Sequence, residues 1–233
     1  MRFWWCASLL LALAGCNSGI AEREAERRLR QRLPEIIGPA EEYRVSIHSG
    51  SDSSVIRGRL GQVTIEGRQV RVGNAWPVDQ LTVHLERVRV DTRKKVLREV
   101  GSARFEARVG EQTLTRYLEE DAENLRSVAV SLDEGSVRVA GRFRVLRVWA
   151  PFNVSGSLFL LDRHRVGFRV DSVRAVGIPI PDPVERYLEQ RLNPVMDLSD
   201  TMLSLELTGV RIEPGAVVVT GVPRLEEAAT LAF

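Results

Sequence analysis

Cysteine is the first scarcity: the 233 residues hold two, Cys6 and Cys16. Everything beyond Cys16 therefore offers no thiol for a disulfide, a thiolate metal site or nucleophilic catalysis. Histidine is equally sparse, and His48, His84 and His164 stand at no metal-ligand spacing. There is no Gly-x-Ser-x-Gly elbow and no phosphate loop, and Gly58-Arg59-Leu60-Gly61 lacks the remaining context of a nucleotide-binding signature. Aspartate and glutamate are abundant but spaced as on solvated strand faces and turns. Paired carboxylates of a hydrolase can be distant along a chain, so that class stays open. The expectation is nonetheless a non-enzyme without metal or cofactor. An excess of one charge is missing too: 33 basic residues, nearly all arginine, face 31 acidic ones for a net +2, which argues against nucleic acid as the main partner.

A long apolar run is also absent. Phe3 to Ala14 is apolar for about a dozen residues, against the ~20 that a spanning helix needs. This stretch follows Met1-Arg2 and ends in Leu13-Ala14-Gly15-Cys16, the arrangement of a bacterial lipoprotein signal peptide. Residues 1–15 are thus expected to be cleaved, with Cys16 acylated and holding the exported protein to the cell membrane or outer membrane, facing periplasm or cell exterior. At about 0.8 kcal/mol per buried methylene, one acyl chain binds marginally and two or three hold firmly. An ordinary secretory signal with an incidental cysteine is the alternative.

Residues 16–19 form a tether whose Asn17-Ser18-Gly19 reaches about 10 to 13 Å. The remainder, 20–233, is expected to be one domain, since a core of that size is self-sufficient. Its first element is an amphipathic helix over about 20–37, where Ala21, Ala25, Leu29, Leu33, Ile36 and Ile37 share a stripe. Glu24 with Arg28 and Glu26 with Arg30 stand at the i,i+4 offset. The stripe has two possible partners, the body of the fold or the membrane surface.

Beyond Tyr43 the apolar period falls to two. Val63 and Ile65, Leu81-Val83-Leu85, Ala103-Phe105-Ala107-Val109, Val128-Val130-Leu132, Val137-Val139, Phe152-Val154-Gly156-Leu158-Leu160 and Val166-Phe168-Val170 all alternate as half-buried strands do. Asp133-Glu134-Gly135, Asp162-Arg163-His164 and Glu213-Pro214-Gly215 supply tight turns between them. The pattern predicts an α+β fold: a large curved antiparallel meander, apolar on one face and with arginines such as Arg138, Arg142 and Arg144 on the other. The long helix and two short ones, Glu111 to Glu120 and Pro183 to Leu192, wrap or cover it. Both short helices contain Arg-Tyr-Leu-Glu, at Arg116–Glu119 and Arg186–Glu189, as a diverged strand-to-helix repeat or by chance.

An ordered set of segments carries a family resemblance. Ser53 to Gly61 leads into Val63-Thr64-Ile65-Glu66-Gly67; then come Val100 to Phe105, Leu114 to Leu118, Gly177-Ile178-Pro179-Ile180-Pro181, Leu192-Asn193-Pro194 and Leu207 to Gly215. Over about 45–222 the chain resembles the LmeA-like phospholipid-binding family of exported bacterial proteins. By looser analogy, the resemblance implies a TULIP-like fold in which a curved sheet wraps a helix around an apolar groove, and phospholipid as the partner. It supplies no catalytic residues, and a lipobox stands where many relatives have a plain signal or a membrane segment.

The residues agree with a groove for acyl chains, which need only length, width and apolar walls. Val83, Leu85, Phe105, Val154, Phe168 and Val170 are suitable lining, or else an ordinary dry core. Ile178 and Ile180, held extended by Pro179 and Pro181, make either an apolar lip at the groove mouth or a stiff buried linker. Trp149-Ala150-Pro151-Phe152 suits a core edge or a membrane interface. Two functions follow: a membrane-tethered lipid carrier or sensor, or an envelope scaffold that binds a protein or peptide.

Overall fold

The computed structural model describes residues 19–72, 76–93, 96–121, 125–145, 148–175, 178–179, 193–199 and 204–224. Helix α1 (Ile20–Ile36) precedes strand β1 (Glu42–His48), the short helix α2 (Asp52–Ile56) and the long strands β2 (Arg59–Val72) and β3 (Trp76–Asp91). Strands β4 (Val96–Glu99) and β5 (Ser102–Gly110) lead to helix α3 (Glu111–Asp121). A second meander follows, β6 (Leu125–Asp133), β7 (Ser136–Val145), β8 (Val148–Leu160) and β9 (Arg165–Ala175). Two short strands, β10 (Ile178–Pro179) and β11 (Met196–Asp197), and the hairpin β12 (Ser204–Glu213) and β13 (Ala216–Arg224) complete the order. The fold is α+β and mostly antiparallel sheet, as the alternation predicts, and its curled sheet is compatible with a TULIP-like fold.

The expected single meander is two sheets. Sheet A runs β1-β2-β3-β5-β13-β12, with β4 also on β3, and sheet B runs β10-β9-β8-β7-β6, with β11 also on β9. The last hairpin thus returns to the first sheet instead of extending the second. The sheets meet at tight turns: Gly135 N–H donates to Ile212 O (3.1 Å), Gly215 N–H to Leu132 O (2.9 Å) and Leu207 N–H to Arg163 O (2.6 Å). Both turn glycines have positive φ, 72° and 80°, which explains glycine there.

Irregularities punctuate the ladders. Gln69, Arg87 and Ser127 have φ of 48°, 52° and 53°; at Gln69 and Arg87 the β2–β3 ladder misses one pair without a change of register, whereas at Ser127 the β6–β7 register shifts between Arg126 and Ala129, a bulge. An extra residue in one strand bends it and tightens its twist. The apolar faces of both sheets then enclose one core that includes Leu33, Val63, Val70, Val109, Val166 and Val219. Tyr43 is buried in that core with its hydroxyl donating to Gly38 O at 2.8 Å, and burial pushes its pKa up to about 12.

The α1 stripe packs on the fold: Leu33 is buried, and Ala25, Leu29 and Ile37 lie against the core. Glu24 pairs with Arg28 at 2.7 Å as the spacing predicts. Glu26 does not take Arg30 and instead accepts from Ile47 N–H at 2.9 Å, while Glu22 accepts from Ser49 N–H at 2.9 Å. Those bonds from the Ser49 hydroxyl and amide hold the Glu22 carboxyl below its ordinary pKa. An edge amide that would face water unpaired is a better use of a carboxylate than an exposed ion pair. Helix α3 repeats the device on β6: Glu111, Thr115 and Glu119 accept from Leu132 N–H (2.7 Å), Val130 N–H (3.1 Å) and Val128 N–H (3.0 Å). Its apolar side, Leu114 and Leu118, packs on the core. The expected helix Pro183–Leu192, with its copy of Arg-Tyr-Leu-Glu, lies outside the described residues.

Glu111→Ala strips the Leu132 amide of its acceptor, and a donor left unpaired costs about 1 to 3 kcal/mol. Glu120, exposed on the same helix, is the control and should stay within about 0.5 kcal/mol when changed to alanine. Urea unfolding of both variants measures the difference, and equal midpoints would show that the edge bonds contribute nothing.

Candidate functional site

The candidate lining residues divide between the sheets. Val83 on β3 and Phe105 on β5 are directly paired, with Leu85 facing Ala103 in the same ladder. Val154 on β8 faces Val173 on β9, while Phe168 faces Leu158 and Val170 faces Gly156. Val83, Phe105, Phe168 and Val170 are buried. Each phenylalanine packs over a glycine: a Cβ on Gly221 would come within 2.5 Å of the Phe105 ring, and one on Gly156 within 2.5 Å of the Phe168 ring. Leu85 and Val154 are only half-buried.

Val154 belongs to a longer half-covered strip. Register places Val139 on β7 opposite Val154, Gly141 opposite Phe152 and Phe143 opposite Ala150. Leu125 on β6 faces Phe143, and Ala175 on β9 faces Phe152. Directly opposed residues project to one face of a sheet, so these side chains form a single apolar surface, and all of them are half-buried. Phe143 and Phe152 meet edge to face at 6.0 Å between ring centres. On β7 and β9 there is a gradient: Val137, Val166, Phe168, Val170 and Val173 are buried, whereas Val139, Phe143 and Ala175 nearer the β7–β8 hairpin are not. The buried end is the one that hydrogen-bonds to sheet A through its turns; the other end makes no such bond among the described residues.

The Ile178 backbone pairs with Ala175, next to this half-covered end. Ile180 lies outside the described residues, as do Cys16 and the rest of the tether before Gly19. Asn193, which the sequence offers only as part of the Leu192-Asn193-Pro194 segment, holds β9: its side-chain oxygen accepts from Phe168 N–H at 2.6 Å and its amide donates to Phe168 O at 3.0 Å. One side chain thereby completes the β9 edge where a strand partner would stand. No alternation signals such a bond, because it is made by one residue 25 positions away in sequence.

A trough of about 440 Å³ opens elsewhere, on sheet A, lined by Glu42, Arg44, Glu66, Arg68, Asp79 and Arg108 among others. Its charges are mutually engaged. Arg44 pairs with Glu42 at 2.9 Å, Arg108 with Glu213 at 2.8 Å, and Asp79 accepts from Gly110 N–H and the Thr113 hydroxyl at the start of α3. Such walls do not suit acyl chains. No group of three His, Cys, Asp or Glu side chains could hold a metal ion among the described residues.

A family model described as LmeA-like phospholipid-binding matches residues 17–222. The match spans most of the chain, which belongs to that family. No curated protein and no solved structure matches it.

Truncation separates dry wall from accessible surface. Phe168→Ala should cost about 3 to 5 kcal/mol, whereas Phe143→Ala, half-exposed already, should cost about 1 to 2 kcal/mol. Denaturant titrations report both values; a Phe143 loss as large as that of Phe168 would place both rings in one closed core.

Proposed function

We propose that this member of the LmeA-like phospholipid-binding family takes up phospholipid by its acyl chains along the half-covered apolar strip of sheet B. Its role is that of a carrier or sensor without catalysis, exported and held to a membrane of the cell envelope by acylated Cys16. The strip carries this reading: eight apolar or glycine positions in continuous register remain partly accessible next to a buried wall. Partial cover is a costly state for so much apolar surface in water and a useful one for exchange with a bilayer. Ile178, whose backbone pairs with Ala175 at this end, would begin the entrance segment that Ile180 continues in sequence. An envelope scaffold could recruit a peptide by adding a strand to an open edge, but the β1 and β6 edges are occupied by helix side chains.

Native mass spectrometry and organic extraction of the purified protein should find co-purifying phospholipid. Uptake should tolerate headgroup changes and resist salt, because apolar burial is not screened. Phe143→Asp with Phe152→Asp should reduce lipid content at least about tenfold, since two carboxylates would have to be desolvated against the chains. A double variant that folds and retains the parental lipid would move the site off this strip. A parent without lipid that also excludes fluorescent acyl probes would favour the scaffold.

For the anchor, Cys16→Ser should abolish radiolabelled fatty-acid incorporation. Unchanged labelling and processing of that variant would refute acylation at Cys16.

A further inference from the structure

Charge on the outer faces of the two sheets is arranged differently. On sheet A arginines are matched by neighbouring acids, as in Arg44 with Glu42, Arg108 with Glu213 and Arg211 with Glu106. On sheet B the sequence from Gly135 to Leu161 contains no aspartate or glutamate at all. Arg126, Arg142, Arg144 and Arg174 are exposed there, and none of the four is in an ion pair among the described residues. Asp133 pairs with Arg138 near the β6–β7 turn, which leaves Asp171 on β9 as the carboxylate nearest in sequence to Arg174.

Ion pairing within the described residues does not explain where these arginines stand. Arg126 and Arg142 stand directly opposite each other across β6 and β7, a like-charge pair that costs stability. Arg144 stands opposite Trp149, and the Arg126 guanidinium lies 4.4 Å from the centre of the Trp149 ring. That stacking orients the cation without neutralising it. The ladder positions also put the group at the same end of sheet B as Phe143 and Phe152, on the opposite face. One end of one sheet thus has an apolar inner face, a basic outer face and a tryptophan between the arginines.

We infer that this end of sheet B is a docking surface for an anionic lipid bilayer. Arginine stems lie along apolar surface while their guanidinium groups reach phosphates, tryptophan settles at the headgroup level, and each arginine near an anionic leaflet adds attraction. The inner strip would then face the acyl region edge-on. The inference concerns the outer face and does not require lipid inside the fold, so either reading can fail without the other.

Flotation of the full-length protein with vesicles of phosphatidylcholine alone, or with equal parts phosphatidylglycerol, tests it. The N-terminal segment contributes to both, and the ratio of the two partition coefficients isolates the charge term. Changing Arg126, Arg142, Arg144 and Arg174 together to glutamine should lower that ratio at least about tenfold, with thermal unfolding at the parental temperature or above. The control changes Arg57, Arg59, Arg71 and Arg104 to glutamine, an equal loss of charge from exposed positions of α2, β2 and β5 and their flanks, and should leave the ratio within about twofold. Equal losses in both variants would mean that net charge alone attracts the protein, and a parent indifferent to phosphatidylglycerol would remove the docking surface outright. Bound lipid measured on the same variants keeps the two readings apart: docking lost with lipid retained upholds both.

Discussion

The edges of the two sheets are the constraint around which the other elements are placed. An antiparallel sheet that curls without closing leaves a row of backbone donors at its first strand, and such a row either pairs with another chain or must be occupied. Here the helix that precedes each edge strand occupies it. Glu22 and Glu26, one helical turn apart, take Ser49 and Ile47 N–H, and Glu111, Thr115 and Glu119, also one turn apart, take Leu132, Val130 and Val128 N–H. A turn of helix advances 5.4 Å and two strand residues about 6.8 Å, close enough for flexible side chains to follow the ladder. This match sets each helix along an edge, not across the middle of the apolar face. Among the described residues, the end of sheet B near the β7–β8 hairpin is then left with less cover, and the half-exposed strip lies there.

The same geometry shows why the sequence is legible in some respects and not in others. Alternation with a period of two identifies nearly every strand, because burial on one face leaves its mark at each position. The 3.6-residue stripe likewise places Ala25, Leu29 and Leu33 against the core. Glu26 defeats the helix rule, since an i,i+4 arginine is visible in sequence and an amide on a later strand is not. Division into two sheets is invisible for a related reason: it depends on the β12–β13 hairpin pairing with β5, a choice made far along the chain by turns and bulges. The left-handed backbone positions Gln69, Arg87 and Ser127 carry none of the glycine that would have advertised them.

At the candidate site, composition could name suitable side chains but could not say which were covered. Val83, Phe105, Phe168 and Val170 differ from Val154 and Phe143 in burial, not in apolar character or in local pattern. What distinguishes them is distance from the junction where the turns of sheet B bond to β12 and its hairpin. The absence of acids from Gly135 to Leu161 is plain in the sequence, yet it reads as dispersed arginine until register brings Arg126 beside Arg142 and Trp149.

On the proposed reading, tether and sheet end would have complementary tasks. An acyl anchor at Cys16 followed by a three-residue tether would confine the start of α1 to within about 13 Å of the bilayer but would leave the body free to rotate about that point. Confinement raises the effective concentration of every other surface toward the membrane, so a second contact need not be strong to be occupied. Four arginines with an adjacent tryptophan would add that contact at one end of sheet B and so fix which edge faces the lipid. Orientation is what an open apolar strip requires: turned toward water it is an aggregation hazard, and turned toward the bilayer it would be, on the proposed reading, a continuous path for an acyl chain out of the membrane. The charge asymmetry between the two outer faces would therefore act on the inner face without touching it, by deciding where the partly covered end points.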